Sequence, residues 1–379
     1  MLSSFDDFPI HQTSRPIAHT ASTDINHYDR YFFNGYTSDA RLYFAAAMGL
    51  YPNRHVADAA FSVVVDGGSD DARQISVHAS RRAPTDRADA NEVGPIKVEV
   101  LEPLQALRVT VDAPEHGLRA DLTFVRRSEA IEEPHFHQQT GLRVVLDYTR
   151  LTQFGGWEGW IEIDGETHDL AAGETLGSRD RSWGVRPVGE RASTGAPVAD
   201  PQFYWLWAPL NFDTFSTHFD VNELFDGKRW HDAGFVAPVI DGDRSRSGEA
   251  MRSVDYHVEW SPGTRSARHF EIVMTPWTGE PTTIRLEPLF HFHMLGLGYF
   301  HPEWGHGVWK GELAVGGERW DLPVDDPLAP HHVHIQALVK ATTSGGLGRH
   351  EGLGILEQLA IGRHTPTGLE GLFDGYQQP

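Results

Sequence analysis

The chain contains no cysteine. Disulfides, thiolate nucleophiles and cysteine-held zinc or iron–sulfur centres are therefore excluded, and a reducing cytoplasm is the compatible compartment. Long hydrophobic runs are also missing. No stretch approaches the eighteen uninterrupted apolar residues of a membrane-spanning helix. The opening MLSSFDDFPIHQ has acids and a proline where an export signal needs a basic and then an apolar run. Positive charge is scarce, with 32 Lys and Arg against 53 Asp and Glu, for a net charge of −21. Such a chain repels nucleic acid and anionic membrane surfaces, and both partner classes are set aside. There is no βαβ rhythm, Gly-rich phosphate loop, Walker pattern or Gly-x-Ser-x-Gly elbow. These absences argue against nucleotide-dependent and serine-hydrolase chemistry.

Aromatics and imidazoles are plentiful, with 11 Trp, 20 Phe and 22 His in 379 residues. The length suits two or three domains. Many rings beside many titratable groups suggest an apolar cavity with proton donors in it, although most aromatics in any globular protein are plain core. Short alternating runs at residues 61–65, 74–78, 96–100, 107–111 and 120–125 are separated by turn signals such as Asp66-Gly67-Gly68. This spacing predicts an antiparallel sandwich or barrel. Residues 41–51 (RLYFAAAMGLY) have the best helix propensity of the N-terminal half and also suit a buried strand. Residues 80–94 read as a charged loop.

An internal repeat organises the chain. Residues 157–170 read WEGWIEIDGETHDL and residues 309–322 read WKGELAVGGERWDL. Both fit Trp-x-Gly-x-(Ile/Leu)-x-(Ile/Val)-x-Gly-Glu-x-x-Asp-Leu. A His-Phe-His lies upstream of each, at His135-Phe136-His137 and His291-Phe292-His293, with a Glu-Pro shortly before it. The repeat reads as a hairpin present in two copies of one all-β domain. The copies are expected at residues 1–190 and 200–379, joined by a small, polar linker at 189–201.

Residues 177–187 (GSRDRSWGVRP) place Asp180 among Arg179, Arg181 and Arg186, with Trp183 three residues on. The stretch looks too polar for a core strand. Arginines beside Asp180 would favour its ionised form, and Trp183 offers a π face to a cation. The bland alternative is an Arg–Asp staple at a strand end. Counting the same offset from each repeat tryptophan sets Asp180 against His332 of the second copy. Downstream, Phe203, Trp205 and Trp207 share one face of a strand, with Tyr204 on the other. His291 and His293 also point the same way, and two imidazoles at that spacing can begin a metal site with His301, His306 or Glu303 as a third ligand. The alternatives are proton-transfer groups in a cavity, or structural histidines. Residues 299–309 (YFHPEWGHGVW) read as an aromatic loop at a barrel mouth.

Taken together, Trp-x-Gly-x-Ile-x-Ile-Asp-Gly, Arg-Asp-x-x-Trp-Gly and the Phe-Tyr-Trp strand resemble the tandem lipocalin-like proteins of the AttH and carotenoid 1,2-hydratase (hydroxyneurosporene synthase) kind. The resemblance covers most of residues 95–340. It implies two tandem lipocalin-like antiparallel β-barrel or sandwich domains related by internal duplication. It also implies metal-free acid–base chemistry on hydrophobic substrates, such as alkene hydration or pericyclic cyclisation. The family hydratases carry Asp-His-x-Trp-Gly, whereas this chain has Asp180-Arg181-Ser182-Trp183-Gly184, so the acid's partner differs.

The resulting expectation is a cytoplasmic lyase without a cofactor, a hydratase or dehydratase or an enzyme eliminating a small carbonyl fragment, acting on a hydrophobic terpenoid or aromatic small molecule at an inter-domain cavity. Asp180, His293 and His301 are the expected proton-transfer groups. Arg179, Arg186, Trp183, Tyr204, Trp207 and Tyr299 are the expected substrate contacts, and no metal ligand is assigned. A non-catalytic carrier of hydrophobic ligands and a histidine-ligated metalloenzyme are the rival readings.

Overall fold

The computed structural model describes residues 19–86, 90–189, 201–242 and 247–377. Most of the expected linker, the first eighteen residues and part of the expected loop at 80–94 lie outside this set. The described chain is strand, turn and short 3-10 segments, with no α-helix. Among the described residues no helix is therefore long and apolar enough to cross a membrane.

The strands form two sheets. The first takes β1 (His27–Thr37), β2 (Tyr43–Tyr51), β3 (Val56–Val65) and β4 (Arg73–Arg82). It continues with β5 (Glu92–Val93), β6 (Ile96–Glu102), β7 (Ala106–Ala113) and β8 (Leu118–Arg126). β9 (Ile131–Glu132), β10 (Phe136–Thr140), the long β11 (Arg143–Ile163), β12 (Glu166–Leu170) and β13 (Thr175–Val185) follow. The second sheet holds β14 (Phe203–Trp207), β15 (Leu210–Asn211), β16 (Phe215–Glu223), β17 (Arg229–Pro238) and β18 (Glu249–Ala250). It then takes β19 (Ser253–Trp260), β20 (Ala267–Thr275) and β21 (Thr282–His293). β22 (Leu313–Asp321) returns to the first sheet, and β23 (Ile335–Gly345) and β24 (Glu351–Ile361) complete the second.

The duplication is visible in strand order. The first sheet runs β22-β4-β3-β2-β1-β13-β11-β8-β7-β6-β5, and the second runs β18-β17-β16-β14-β24-β23-β21-β20-β19. In each, the first strand (β1 or β14) lies antiparallel between the next long strand (β2 or β16) and a late strand (β13 or β24), and that late strand pairs in turn with the long strand before it (β11 or β23). β13 and β24 are therefore counterparts, as are β1 and β14. The repeated sequence motif marks a different relationship. Its first copy is the β11–β12 hairpin, turning at Asp164-Gly165. Its second copy is no hairpin: residues 313–321 run straight through Gly316-Gly317 as β22. Trp157 is fully buried, whereas Trp309 is 45% exposed with the Arg82 guanidinium 4.8 Å over its ring.

The chain forms two compact units. Described residues of the first fall in 19–65, 73–189 and Gly296–Trp320; those of the second fall in Asp66–Ala72, 201–295 and 321–377. Sequence order and unit membership part company at Gly296–Trp320, which joins the first unit because β22 adds to the edge of β4.

Each sheet has one apolar face. In the first, Phe33, Phe44, Phe61, Val77, Val109, Phe124 and Trp157 share a single buried cluster. Residues of β3 and β7 meet in it, so the sheet curls on itself as a half-barrel does. Trp157 sits edge-on to Phe33, Phe44 and Phe124, and its Nε1 donates to Asn34 O at 2.8 Å. In the second sheet Leu206, Phe219, Phe270, Ile272, Leu286 and Leu356 form the equivalent core. Burial of both cores is the main stabilising term. Residues 43–51 form strand β2 rather than a helix. Tertiary pairing overrides propensity here, because the alanines supply a thin floor on the opposite, polar face.

Candidate functional site

Alternation along β1 sets Tyr31 and Phe33 into the core and Tyr28, Arg30 and Phe32 onto the other face. The register then builds a polar row across that face. Phe32 lies opposite Asp180 and Arg30 opposite Ser182 of β13. Asp180 faces Thr152 and Ser182 faces Arg150 of β11. On the other side Arg30 pairs with Gly49, Gly49 with Asp58, and Asp58 with Ser80. Ala47, Gly49 and Ala60 keep this surface low, which leaves room for the long side chains.

Residues of Gly296–Trp320 close over the row. Arg30 Nη1 donates to His306 Nδ1 at 2.8 Å, and His306 Nε2 donates to Leu297 O at 2.8 Å. The two bonds together require the tautomer with hydrogen on Nε2. Gly307 N donates to Asp58 Oδ2 at 2.7 Å, and Ser80 Oγ donates to Val308 O at 3.2 Å. The Tyr299 ring lies 4.9 Å from the Arg30 guanidinium and 5.8 Å from that of Arg186. The segment expected at a barrel mouth is thus a cover on the polar face. Between it and the sheet, a crevice lined by Arg30, Asp58, His78, Ser80, Trp304 and His306 has free space of about 10 Å³, room for one water.

Two acids in this row are poised near neutrality. Burial raises the Asp180 carboxyl to about 6, against the opposing Arg150 charge, while Glu133 adds to the rise. Among the described residues no hydrogen-bond donor reaches Asp180. Burial likewise raises Asp58 to about 6 against Arg30, although Tyr51 Oη donates to it at 3.1 Å. Arg150 is neutralised by Glu133, to which its Nε donates at 2.8 Å, and Thr152 Oγ1 donates to the same carboxylate at 2.6 Å. Tyr28 is pushed up to about 12 by burial, and Tyr51 and Tyr148 are raised for the same reason, so all three are neutral phenols.

Of the residues singled out in the sequence, Asp180, Arg186 and Tyr299 meet in this row. Gly177–Pro187 is mostly a central strand, because its polar side chains divide between two faces. Arg179 and Arg181 flank Asp180 in sequence but point to the opposite side. Arg179 Nε donates to Gln153 Oε1 at 2.9 Å with Phe124 beside it, and Arg181 pairs with Asp29 over the Tyr31 ring. Trp183 alternates with them and lies opposite Asp29 and Thr149, so it is not a wall for Asp180. The guanidiniums that act on Asp180 come instead from Arg150, Arg30 and Arg186. Arg30, Arg150, Asp58, Tyr28 and Tyr51 were not singled out. The alternation within Tyr28-Asp29-Arg30-Tyr31-Phe32-Phe33 is the signal that could have found Arg30.

His301 belongs to a separate cluster of the first unit. Its Nε2 donates to Glu318 Oε1 at 2.9 Å, and His78 Nε2 approaches the same oxygen at 3.0 Å. Against the upward push of burial, bonds from His301 and His78 bring Glu318 down to about 2. Two imidazoles and a carboxylate within 4.8 Å of one another are a possible metal cage. However, His301 Nδ1 accepts from the backbone N–H of Glu303 at 2.9 Å and Trp304 at 2.8 Å. A ligating histidine ordinarily donates its other ring N–H to an acceptor, and here two donors occupy that place. The cluster therefore suits a hydrogen-bonded clamp on the cover better than a metal centre. His135 and His137 share Asp147 on an exposed hairpin.

His293, Tyr204 and Trp207 lie in the second unit. His293 is pushed down to about 3 by burial, with His291 and His332 adding to the effect, and its Nδ1 bonds to His332 O. Tyr204 is on the core face, stacked 3.8 Å from His364. Trp207 lies opposite Asp220 and Glu357 on the other, polar face. Glu357 accepts from His334 Nε2 at 2.8 Å, Gln336 Nε2 at 2.6 Å and Trp205 Nε1 at 3.1 Å. Asp220 accepts from His218 and His231, each at 3.3 Å. His332, the counterpart of Asp180 by motif offset, sits in a turn; by strand order the counterpart strand is β24, which carries Glu357.

Comparison with known proteins gives a fold and a family. Kievitone hydratase from Nectria haematococca superposes with a TM-score of 0.53 at 10% identity, covering 87% of this chain and 88% of that one. A candidate AttH from Nitrosomonas europaea gives 0.52 at 13% identity, covering 87% and 92%. The AttH-like resemblance read from the sequence thus holds at the level of fold. A family profile described as a family of unknown function (DUF8625) matches residues 2–370. No curated protein matches the sequence.

Proposed function

We propose that this chain, which belongs to the family of unknown function DUF8625, is a lyase of the hydratase or dehydratase kind acting on a hydrophobic small molecule by acid–base chemistry. The observation that carries the reading is Asp180. It is a desolvated carboxyl with no hydrogen bond among the described residues, raised to about 6 and surrounded by neutral phenols and arginines. A group with that pKa exchanges protons readily near neutral pH, as a general acid or base must. Arg30 and Arg186 limit the rise and stabilise the carboxylate after proton transfer. Tyr299 and Tyr28 form the aromatic walls next to them. The crevice beside Arg30, Asp58 and Ser80 suits the single water that such a reaction adds or removes. One protein of like fold is named a hydratase, which agrees with this reading. No step assigned to these residues calls for a cofactor.

The test is untargeted metabolite profiling with the purified protein, followed by assay of Asp180→Asn on whatever compound is converted. The expected outcome is a mass change of one water, lost in the variant. Full turnover by a folded Asp180→Asn protein would sink the assignment, and ligand retention without conversion would favour a carrier.

A further inference from the structure

Among the arginines of this row, Arg186 is the one with two buried donors left over among the described residues. Its Nε and Nη2 are buried and donate to no acceptor among the described residues. Its guanidinium lies 4.6 Å from the Tyr28 ring and 5.8 Å from the Tyr299 ring, and Tyr51 and Tyr148 also surround it. Tyr28 and Tyr299 face it with their rings and offer cation–π contact, and burial keeps the Tyr28, Tyr51 and Tyr148 phenols protonated, so those three supply no counter-charge. The other arginines of the row are better supplied: Arg150 holds Glu133, and Arg30 holds His306. A buried guanidinium with two idle donors is costly unless an acceptor comes to it. Arg186 and Asp180 both act electrostatically on Tyr28, which places the idle donors and the acid around one side chain.

We propose that Arg186 binds a carbonyl oxygen of the substrate, which makes the substrate an α,β-unsaturated ketone or the corresponding β-hydroxy ketone. This rests on the acid–base reading of Asp180. In the hydration direction the water oxygen bonds to the β-carbon, and the C=C pair moves onto the carbonyl oxygen as an enolate held by Arg186. The α-carbon then takes the Asp180 proton as the C=O re-forms. The added water's surplus proton returns to the Asp180 carboxylate, for a net gain of one H2O. The guanidinium is well suited to this place, because it stabilises charge that exists only during the reaction.

The experiment measures binding, so that its failure is separable from that of the lyase reading. The probes are 4-phenylbut-3-en-2-one and the hydrocarbon with a methylene in place of its carbonyl oxygen. Native protein is expected to bind the ketone roughly tenfold or more tightly, the gain of a hydrogen bond to a charged group. Arg186→Met should bring the two probes to near-equal affinity, while Asp180→Asn should keep the preference. In the native protein the bound ketone's C=O stretch should move to lower frequency, a readout that needs no variant. Equal binding of both probes, binding of neither, an unshifted stretch, or a preference that survives Arg186→Met would overturn the proposal. Loss of turnover in Asp180→Asn alongside any of those results would leave the lyase reading standing.

Discussion

The counterpart strands β13 and β24 of the two sheets each carry an acid on the polar face, and the two acids have been treated in opposite ways. Asp180 on β13 lies opposite Phe32 and Thr152, and no donor among the described residues reaches it. Glu357 on β24 lies opposite Trp207 and Gln336 and receives three hydrogen bonds. Burial pushes both upward. At Glu357 the bonds from His334, Gln336 and Trp205 outweigh it and hold the carboxyl below its usual range. At Asp180 burial prevails and the carboxyl rises to about 6. The same topological position is thus a saturated, permanently ionised anchor in one unit and a proton-exchanging group in the other. Fold alone does not locate a site; the supply of donors does.

Turnover should separate the two most strongly. Asp180→Asn is expected to lower the rate on the converted substrate by about 10²–10⁴, the range for loss of a general acid or base. Glu357→Gln should stay within roughly tenfold, since an ionised, fully bonded carboxylate has no proton to give. Steady-state kinetics on both purified variants decides it, and an equal loss in each would erase the distinction.

A second contrast tests the repeat. Trp157 and Trp309 occupy the same place in the motif but not in the fold. Trp157→Ala should cost about 3–5 kcal/mol, because it empties the centre of an aromatic cluster and removes the bond to Asn34. Trp309→Ala should cost less than about 1 kcal/mol, since the ring is half-exposed against Arg82. Urea unfolding of each variant provides the numbers. Similar losses at both would restore the motif as a true structural repeat.

That contrast also shows what could be read in advance. The all-β character, the strands at 61–65, 74–78 and 96–125, and the shared face of Phe203, Trp205 and Trp207 follow from period-two alternation, which is local. Asp180, Arg186 and Tyr299 stood out by composition. Their partners did not, because Arg30, Asp58 and Arg150 are brought to Asp180 by register between strands far apart in sequence. Sequence adjacency misled most at Arg179 and Arg181: in a strand, immediate neighbours of an acid point away from it. The motif copy at 309–322 misled because short Gly-Glu patterns suit any turn-rich β-protein, whereas duplication here survives as strand order.

The stability of the two acid variants should differ in sign. A carboxyl raised in the folded state favours folding only while protonated. Its contribution is fully present below the unfolded value near 3.8 and is lost as pH rises through about 6. Above that window native Asp180 is an ionised group held in a desolvated site, and Asp180→Asn should stabilise the protein by about 1–3 kcal/mol, with the gain shrinking to nothing near pH 4. Glu357 runs the other way. Its lowered carboxyl contributes stability above the unfolded value near 4.5 and loses it as pH falls. Glu357→Gln should therefore destabilise by about 1–3 kcal/mol at neutral pH, because an amide N–H₂ then confronts one of the donors that the carboxylate accepted from. The penalty should ease in acid. Denaturant titrations of the two variants and the parent at a series of pH values would show the curves diverging upward and downward with pH. If Asp180→Asn also destabilised at neutral pH, Asp180 would be a structural acid like its counterpart, and the proton-transfer role would have to pass to Asp58, the other carboxyl raised to about 6 in the same row.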